Sequence, residues 1–318
     1  MMKENNQINE VPVNSIFEQP WWLDVVSNNN WKSIELINNN KIYARLPYVE
    51  KNVMGFKVIT VPQLTQSLGI YIEGTGAKRT KSLERNKKII NEIVDKLPEK
   101  SNVVLYLDSN CNYVLPFTWK GFNLTPTYTY RFDDLENLDA IWKGFKENIK
   151  TDIRKASKKV EIRDDMPVDT IIELNKKTFA RQKRKYPIDD DMIKKLDKVL
   201  IEHNARHILT AVDSEGRIHG AAYFVYDSNR CYYLLGGEDS EFRNSGAGSL
   251  LVWEGIKFAS KVSKAFDFEG SNIENIERFF RAFGGEPKII MKASRLNWFL
   301  ALAEFLKPKI KKIIGYEQ

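Results

Sequence analysis

Residues 243–248 read Arg-Asn-Ser-Gly-Ala-Gly and lead straight into an apolar-striped helical run, Ser249–Ala259. Glycines at a helix N-terminus let unpaired backbone N–H groups, at the positive end of the helix dipole, approach a phosphate without a Cβ in the way. Arg243 adds a charge-assisted donor at the same place. The R-x-x-G-x-G spacing is therefore a candidate pyrophosphate cradle made of Arg243, Asn244, Ser245, Gly246, Ala247 and Gly248. If so, Gly246→Glu is expected to block the ligand while leaving the fold intact.

A second constellation is "FDFEGS", residues 266–271. Alternation along a strand puts the carboxylates of Asp267 and Glu269 on one face and Phe266 and Phe268 on the other. Two acids on one face of a central strand are costly to bury idle. Either one serves as a general base, or it pairs with Arg278 or Arg281 as scaffolding. Those two arginines share a helix face, and they suit a phosphate of an anionic substrate or plain solvent. Lys143, Lys146, Lys150 and Arg154 form a basic stripe that suits tRNA, an anionic lipid surface or, again, solvent. His203 and His207 straddle a break from helix to strand with no further ligand in register, so no metal site is expected.

The surrounding pattern divides in two. The first part has "FEQPWWLDVV" as a helix and "WKSIELI", "KIYARLPYVE" and "FKVITVP" as strands. A helix with Leu83, Ile90, Ile93 and Leu97 on one face follows, then the strands "NVVLYLD" and "TPTYTYRFD". Leu138–Val160 reads as one long helix or two in tandem, and the junction is placed before it, giving domains 1–137 and 138–318. The second part runs through two helices, three strands, the glycine loop and its helix, and then strand, helix, strand. That order predicts an α+β sheet domain.

A chain of 318 residues suits two domains. With 49 basic and 42 acidic residues the net charge is +7, compatible with a phosphate-bearing ligand, an anionic polymer or a membrane surface. Cys111 and Cys231 match no metal-ligand spacing and suggest a reducing compartment. The start lacks the apolar core of a signal peptide. The most apolar run, "LNWFLALAEFL", is too short to cross a bilayer and is followed by Lys307, Lys309, Lys311 and Lys312. A soluble cytoplasmic protein is expected.

The segment "RNSGAGSLLVWEGIKFASKVSKAFDFEGSNIENIERFFRAFGGEP" resembles the FemABX-like branch of the Gcn5-related N-acetyltransferase (GNAT) superfamily. The matching features are the loop, Trp253, Asp267-Phe-Glu269-Gly270-Ser271 and Phe280-Arg281-Ala-Phe283-Gly284-Gly285, supported by "NIKTDIRKASKK" and "FEQPWWLDVV". The resemblance spans most of the chain and is strongest from Leu138 to Met291. It implies two tandem GNAT-like domains, each a mixed, mainly antiparallel sheet flanked by helices, with the second one catalytic.

Relatives of this kind move an acyl or aminoacyl group from acyl-CoA, such as acetyl-CoA, or from aminoacyl-tRNA onto an amine of a cell-envelope sugar or peptide precursor, lipid- or nucleotide-linked. The coiled-coil arm carried by several tRNA-using relatives is absent, and the Lys143–Lys159 stretch is too short to be one, which favours CoA. Aminolysis needs no protein nucleophile, only positioning, a base and an oxyanion donor. The resemblance places that donor on the backbone around Leu235–Gly237 and a base among Glu238, Asp239, Asp267 and Glu269. Tyr233, beside Tyr223 and Tyr232, offers a proton to a leaving thiolate. Arg154, Arg278 and Arg281 are the substrate-binding candidates. The alternative is a non-catalytic module of the same fold that binds an anionic glycan precursor or RNA.

Overall fold

The computed structural model describes residues 11–313 apart from 100, 112, 182–183 and 271–272. The chain packs as two compact units, one running up to Thr125 and resuming over Met291–Ile310, the other spanning Pro126–Ile290.

In the first unit, helix α1 (Pro20–Ser27) carries Pro20 in its first turn, where a missing N–H costs nothing. Strands β1 (Trp31–Asn38), β2 (Lys41–Val53) and β3 (Phe56–Thr60) pair antiparallel, and β4 (Tyr71–Ile72) adds to β2. Helix α2 (Arg79–Asp95) then carries the chain back to β5 (Asn102–Leu107), which lies parallel to β3. A parallel pair requires such a crossover. Its stripe Ile89, Ile90, Ile93 and Val94 buries against Leu46, Val103, Leu105 and Leu107. Trp22 is buried here, donating its indole N–H to Thr65 at 3.1 Å. A short helix, α3 (Leu115–Trp119), ends the first pass.

The second unit begins within β6 (Asn123–Phe132) and continues with α4 (Leu138–Gly144), α5 (Glu147–Ala156) and β7 (Val160–Arg163). Next come α6 (Val168–Arg181), α7 (Asp190–Glu202), β8 (Arg206–Asp213), β9 (Ile218–Tyr226) and β10 (Arg230–Glu238). They are followed by α8 (Ala247–Val262), β11 (Ala265–Asp267) and α9 (Glu274–Arg281), after which β12 (Glu286–Arg295) passes at Met291 into the first unit, which holds most of α10 (Trp298–Ile313). The run expected to be one long helix or two in tandem is two, broken at Phe145 and Lys146, whose ψ values are 144° and 149°. The Lys146 N–H bonds the Ala282 carbonyl at 2.9 Å instead of continuing a helix.

The two units repeat one order. Strands β7 to β10 meander antiparallel, α8 crosses over, β11 lies parallel to β10, and β6 closes antiparallel on β11. In the first unit the counterparts are β1–β3, α2, β5 and the end of β12, where Met291–Arg295 pairs antiparallel with β5. Both units are mixed, mainly antiparallel sheets flanked by helices, an α+β architecture. The expected junction between 137 and 138 falls after β6, whose last residues pair inside the second unit.

In the second unit α8 packs on Phe224 of β9 so closely that a Cβ at Gly255 would stand 2.2 Å from that ring. Phe145 stacks edge-on against Trp253 and Phe283 at 5.2 and 5.1 Å, so the aromatic positions of the sequence motif form one core.

Candidate functional site

Strands β10 and β11 pair only over Arg230–Tyr232 against Ala265–Asp267 and then part, while β10 runs on to Glu238. The β9–β10 register shifts between Tyr233 and Leu235, a bulge that re-aims the strand where it leaves β11. Leu235–Gly237, the expected oxyanion stretch, lies beyond that point. Both glycines are there because neighbours press on the strand. A Cβ at 236 would stand 1.6 Å from the Tyr233 hydroxyl, and one at 237 would stand 2.5 Å from the Leu174 backbone of α6. The Gly236 carbonyl accepts the Asn175 amide N–H at 2.7 Å. Burial pushes the Tyr233 phenol far above its ordinary pKa, so it stays protonated.

The glycine loop proves tightly built against the protein itself. Gly246 has φ +83°, and a Cβ there would stand 2.4 Å from the Asp152 carbonyl oxygen of α5. Gly246→Glu would therefore strain the fold, contrary to the expectation from sequence, because this glycine is demanded by packing as well as by backbone conformation. The Gly248 N–H donates to Glu238 Oε1 at 2.9 Å, and the Ala247 N–H donates to the Ser245 hydroxyl at 3.2 Å. The Asn244 carbonyl accepts from the Lys155 ammonium. Burial raises the Glu238 pKa, opposed by the Gly248 N–H and the charges of Arg181 and Arg243. Asp239 is held otherwise, capping Glu241 and pairing with Lys177 at 2.7 Å.

Beside this loop opens a cleft of about 1120 Å³ lined by Lys146, Arg181, Arg184, Arg243 and Arg278, with Glu238 and Asp152 as its acids. Among the described residues none of these five cations forms an ion pair. The expected substrate arginines separate: Arg278 lines the cleft, Arg281 pairs with Glu277 at 2.8 Å, and Arg154 lies over the Trp142 ring at 5.8 Å. The basic stripe separates likewise, Lys146 facing the cleft and Lys150 pairing with Glu147 at 2.8 Å. Sequence reasoning missed Arg181 and Arg184. The basic run "ARQKRK" at 180–185 was the available signal, but it lies far along the chain from the loop.

Strand β11 ends at Asp267, so Asp267 and Glu269 do not alternate along one strand. Glu269 adopts φ +58°, a left-handed conformation, and Gly270 at φ +62° leaves no room for a Cβ, which would stand 2.2 Å from the Tyr128 carbonyl oxygen. This turn brings the acids together in another way. Asp267 Oδ1 accepts the Glu269 N–H at 2.8 Å and the Thr129 hydroxyl at 2.6 Å. Burial, and then the charge of Asp267, holds the Glu269 carboxyl well above the usual range. Glu269 Oε1 is buried with no hydrogen-bond partner among the described residues. Ser271 lies outside the described residues.

Among the described residues no three His, Cys, Asp or Glu side chains are grouped to hold a metal ion. His207 stacks on Phe258 at 3.9 Å, and both cysteines are free thiols. No helix among the described residues is long and apolar enough to cross a membrane.

Residues 143–274 match the family model of the acetyltransferase (GNAT) domain. No curated protein matches the chain in sequence. Among solved structures the chain is similar to FemX, at 13% identity and a TM-score of 0.67, covering 92% of this chain and 95% of that one. It is similar to the C-terminal domain (DUF2156) of a putative lysylphosphatidylglycerol synthetase from Agrobacterium fabrum, at 10% identity and a TM-score of 0.54, covering 89% and 92%. A conserved protein of unknown function from Bacteroides thetaiotaomicron gives 12% identity and a TM-score of 0.55 over 86% and 91%. At these identities the likeness is one of fold. The matched segment holds the parting strands, the loop and most of the cleft, so the stretch that resembles the acetyltransferase (GNAT) domain is the one that builds the site, within a fold similar to that of FemX.

Proposed function

We propose that the protein is an N-acyltransferase whose reaction centre is the opening between β10 and β11. The observation that carries this reading is the parting of the parallel pair past Tyr232 and Asp267, which leaves the far end of β10 without a partner strand on that edge among the described residues. An extended acyl-bearing arm fits such an opening by hydrogen-bonding to strand backbone. The Leu235–Gly237 stretch is then the place for the oxyanion donor.

The donor is an acyl-CoA such as acetyl-CoA, with aminoacyl-tRNA as the alternative. Its phosphates suit the cations Lys146, Arg181, Arg184 and Arg243. Support comes from side-chain charge more than from the loop amides, because Glu238 and Ser245 already engage the amides of Gly248 and Ala247. The bound donor supplies an activated carbonyl carbon. In this reading the Asp267–Glu269 pair takes the proton released by the acceptor amine, and Tyr233, kept protonated by burial, returns one to the leaving group. The acceptor is an amine on a small-molecule, lipid-linked or nucleotide-linked cell-envelope precursor, with Arg278 as its anion contact. A soluble cytoplasmic setting belongs to the same proposal.

The Glu238–Gly248 bond favours a second reading, a GNAT-fold module that has lost its donor and binds an anionic glycan precursor or RNA. Calorimetric titration with acetyl-CoA and with CoA, using Arg181→Ala/Arg243→Ala as control, separates the two. Heat with both ligands that the double variant loses supports the acyl-CoA reading. No heat with either sinks it, and turnover of aminoacyl-tRNA is then the test between the remaining donor and the binding module.

A further inference from the structure

Helix α10 is fixed to the first unit through its first turn. The Asn297 N–H donates to Asn102 Oδ1 at 2.7 Å, and the Asn297 side chain caps the helix by accepting the Leu300 N–H at 2.9 Å. Leu300 is buried, and the Phe299 ring sits 5.8 Å from that of Phe56, at the start of β3. The other side is apolar and faces outward: Trp298 is 77% exposed, Leu302 47% and Phe305 62%. These positions, four and then three residues apart, form one helical stripe.

The Phe56–Phe299 contact sets a second apolar element beside this stripe. The tip of the β2–β3 hairpin presents Val53 and Met54, 40% and 65% exposed. Met54 stands at φ +53° and is followed by Gly55 at φ +83°, the geometry of a tight hairpin turn that asparagine enters far more readily than an unbranched apolar residue. The β1–β2 turn of the same unit uses Asn39 and Asn40 at such angles. At the β2–β3 tip a left-handed position is instead given to a large apolar side chain that buries little of itself.

Charge complements the apolar surface. Lys57, exposed and in register with Asn52, flanks the hairpin tip, while Lys51 on the other strand turns its ammonium back to the Val61 carbonyl at 3.3 Å. In sequence the stretch 298–312 holds a single acid, Glu304, against Lys307, Lys309, Lys311 and Lys312. Exposed Trp, Leu and Met beside lysines is the pattern that rests in a headgroup layer, with apolar groups at the acyl boundary and ammonium groups among lipid phosphates. The apolar stretch is too short to span, so it lies on the bilayer.

We propose that Val53 and Met54 of the hairpin tip, with Trp298 and Leu302 of α10, form a docking face for an anionic lipid bilayer. The proposal is independent of the acyl-transfer reading.

Flotation of the full chain with phosphatidylcholine vesicles, with and without phosphatidylglycerol, tests it. The wild type is expected to float with the anionic vesicles, to stay behind with the neutral ones, and to be released by salt. Trp298→Ser/Leu302→Ser is expected to lower partitioning by about tenfold. A second variant guards against misfolding: Met54→Asn relieves the turn, so its melting temperature should rise while its vesicle binding falls. Absence of wild-type binding to anionic vesicles overturns the proposal, as does unchanged binding by both variants. A wild-type dimer that Trp298→Ser/Leu302→Ser converts to monomer, without any difference on vesicles, assigns the face to a second copy and also overturns it.

Discussion

The carboxylate of Glu238, at the end of β10, accepts the N–H of Gly248 in the first turn of α8 at 2.9 Å. The chain thus places its own anion at the helix N-terminus that a ligand phosphate would seek. Arg181 and Arg243 lower the Glu238 pKa while burial raises it, and burial prevails. A protonated Glu238 no longer repels an anion in the cleft, so affinity for one should fall as pH rises through the raised pKa. Glu238→Gln is expected to bind pyrophosphate or CoA about tenfold more tightly at neutral pH and to flatten this dependence. Titration calorimetry of both proteins between about pH 5 and pH 8 measures it.

Gly246 answers to packing and to backbone geometry together. With φ +83° and the Asp152 carbonyl oxygen 2.4 Å from any Cβ, Gly246→Ala should lose about 2–4 kcal/mol. Urea unfolding should show a lower midpoint at unchanged slope. An unchanged midpoint would mean that α5 yields easily and that the glycine is retained for a ligand.

Glu18 is fully buried in the first unit, accepting the backbone and side-chain N–H groups of Asn14 at 2.8 and 3.0 Å and the Gly69 N–H at 3.0 Å. Burial outweighs these bonds and lifts its pKa from 4.5 to about 7. Because the folded state holds the proton more tightly, this group favours folding below about pH 4.5 and loses that contribution as pH rises to about 7, a difference of about 3 kcal/mol. Glu18→Gln should be less stable, since its amide would face the Asn14 donors, yet its stability should vary less over this range. Denaturation midpoints at several pH values compare the two slopes.

Glu269 is held beside Asp267 with one oxygen buried and without a partner among the described residues. If the pair is the base of the proposed transfer, Glu269→Gln should lower kcat by about a hundredfold or more. Its thermal stability should hold or rise, because the amide leaves nothing to ionise at a position where burial disfavours the charged carboxylate. Equal loss of kcat and stability would mark a structural role.

Much of this was legible in the order of residues. The stripe of α2, the succession β8–β9–β10, the helix after the loop and the α+β class follow from local periodicity, because a buried face imposes a repeat that the chain displays directly. The motif aromatics Trp253 and Phe283 were visible as a pattern, though their meeting at Phe145 was not. Reading "FDFEGS" as one continuous strand failed because the backbone turns left-handed at Glu269 and Gly270, where the neighbouring strand at Tyr128 leaves Gly270 no room for a side chain, and local propensity does not display that contact.

What sequence by itself determined is therefore the set of elements, the loop and the acids. Only tertiary structure decided which charges remain unpaired: Arg278 faces the cleft while Arg281, three residues on, is neutralised by Glu277. It also decided that the glycine loop packs against α5 and that Glu238 closes the helix behind it. The physical reason is range. Periodicity and turn chemistry act between residues a few positions apart, whereas the pairing of a charge or the room around a glycine depends on whatever the fold brings alongside from elsewhere in the chain.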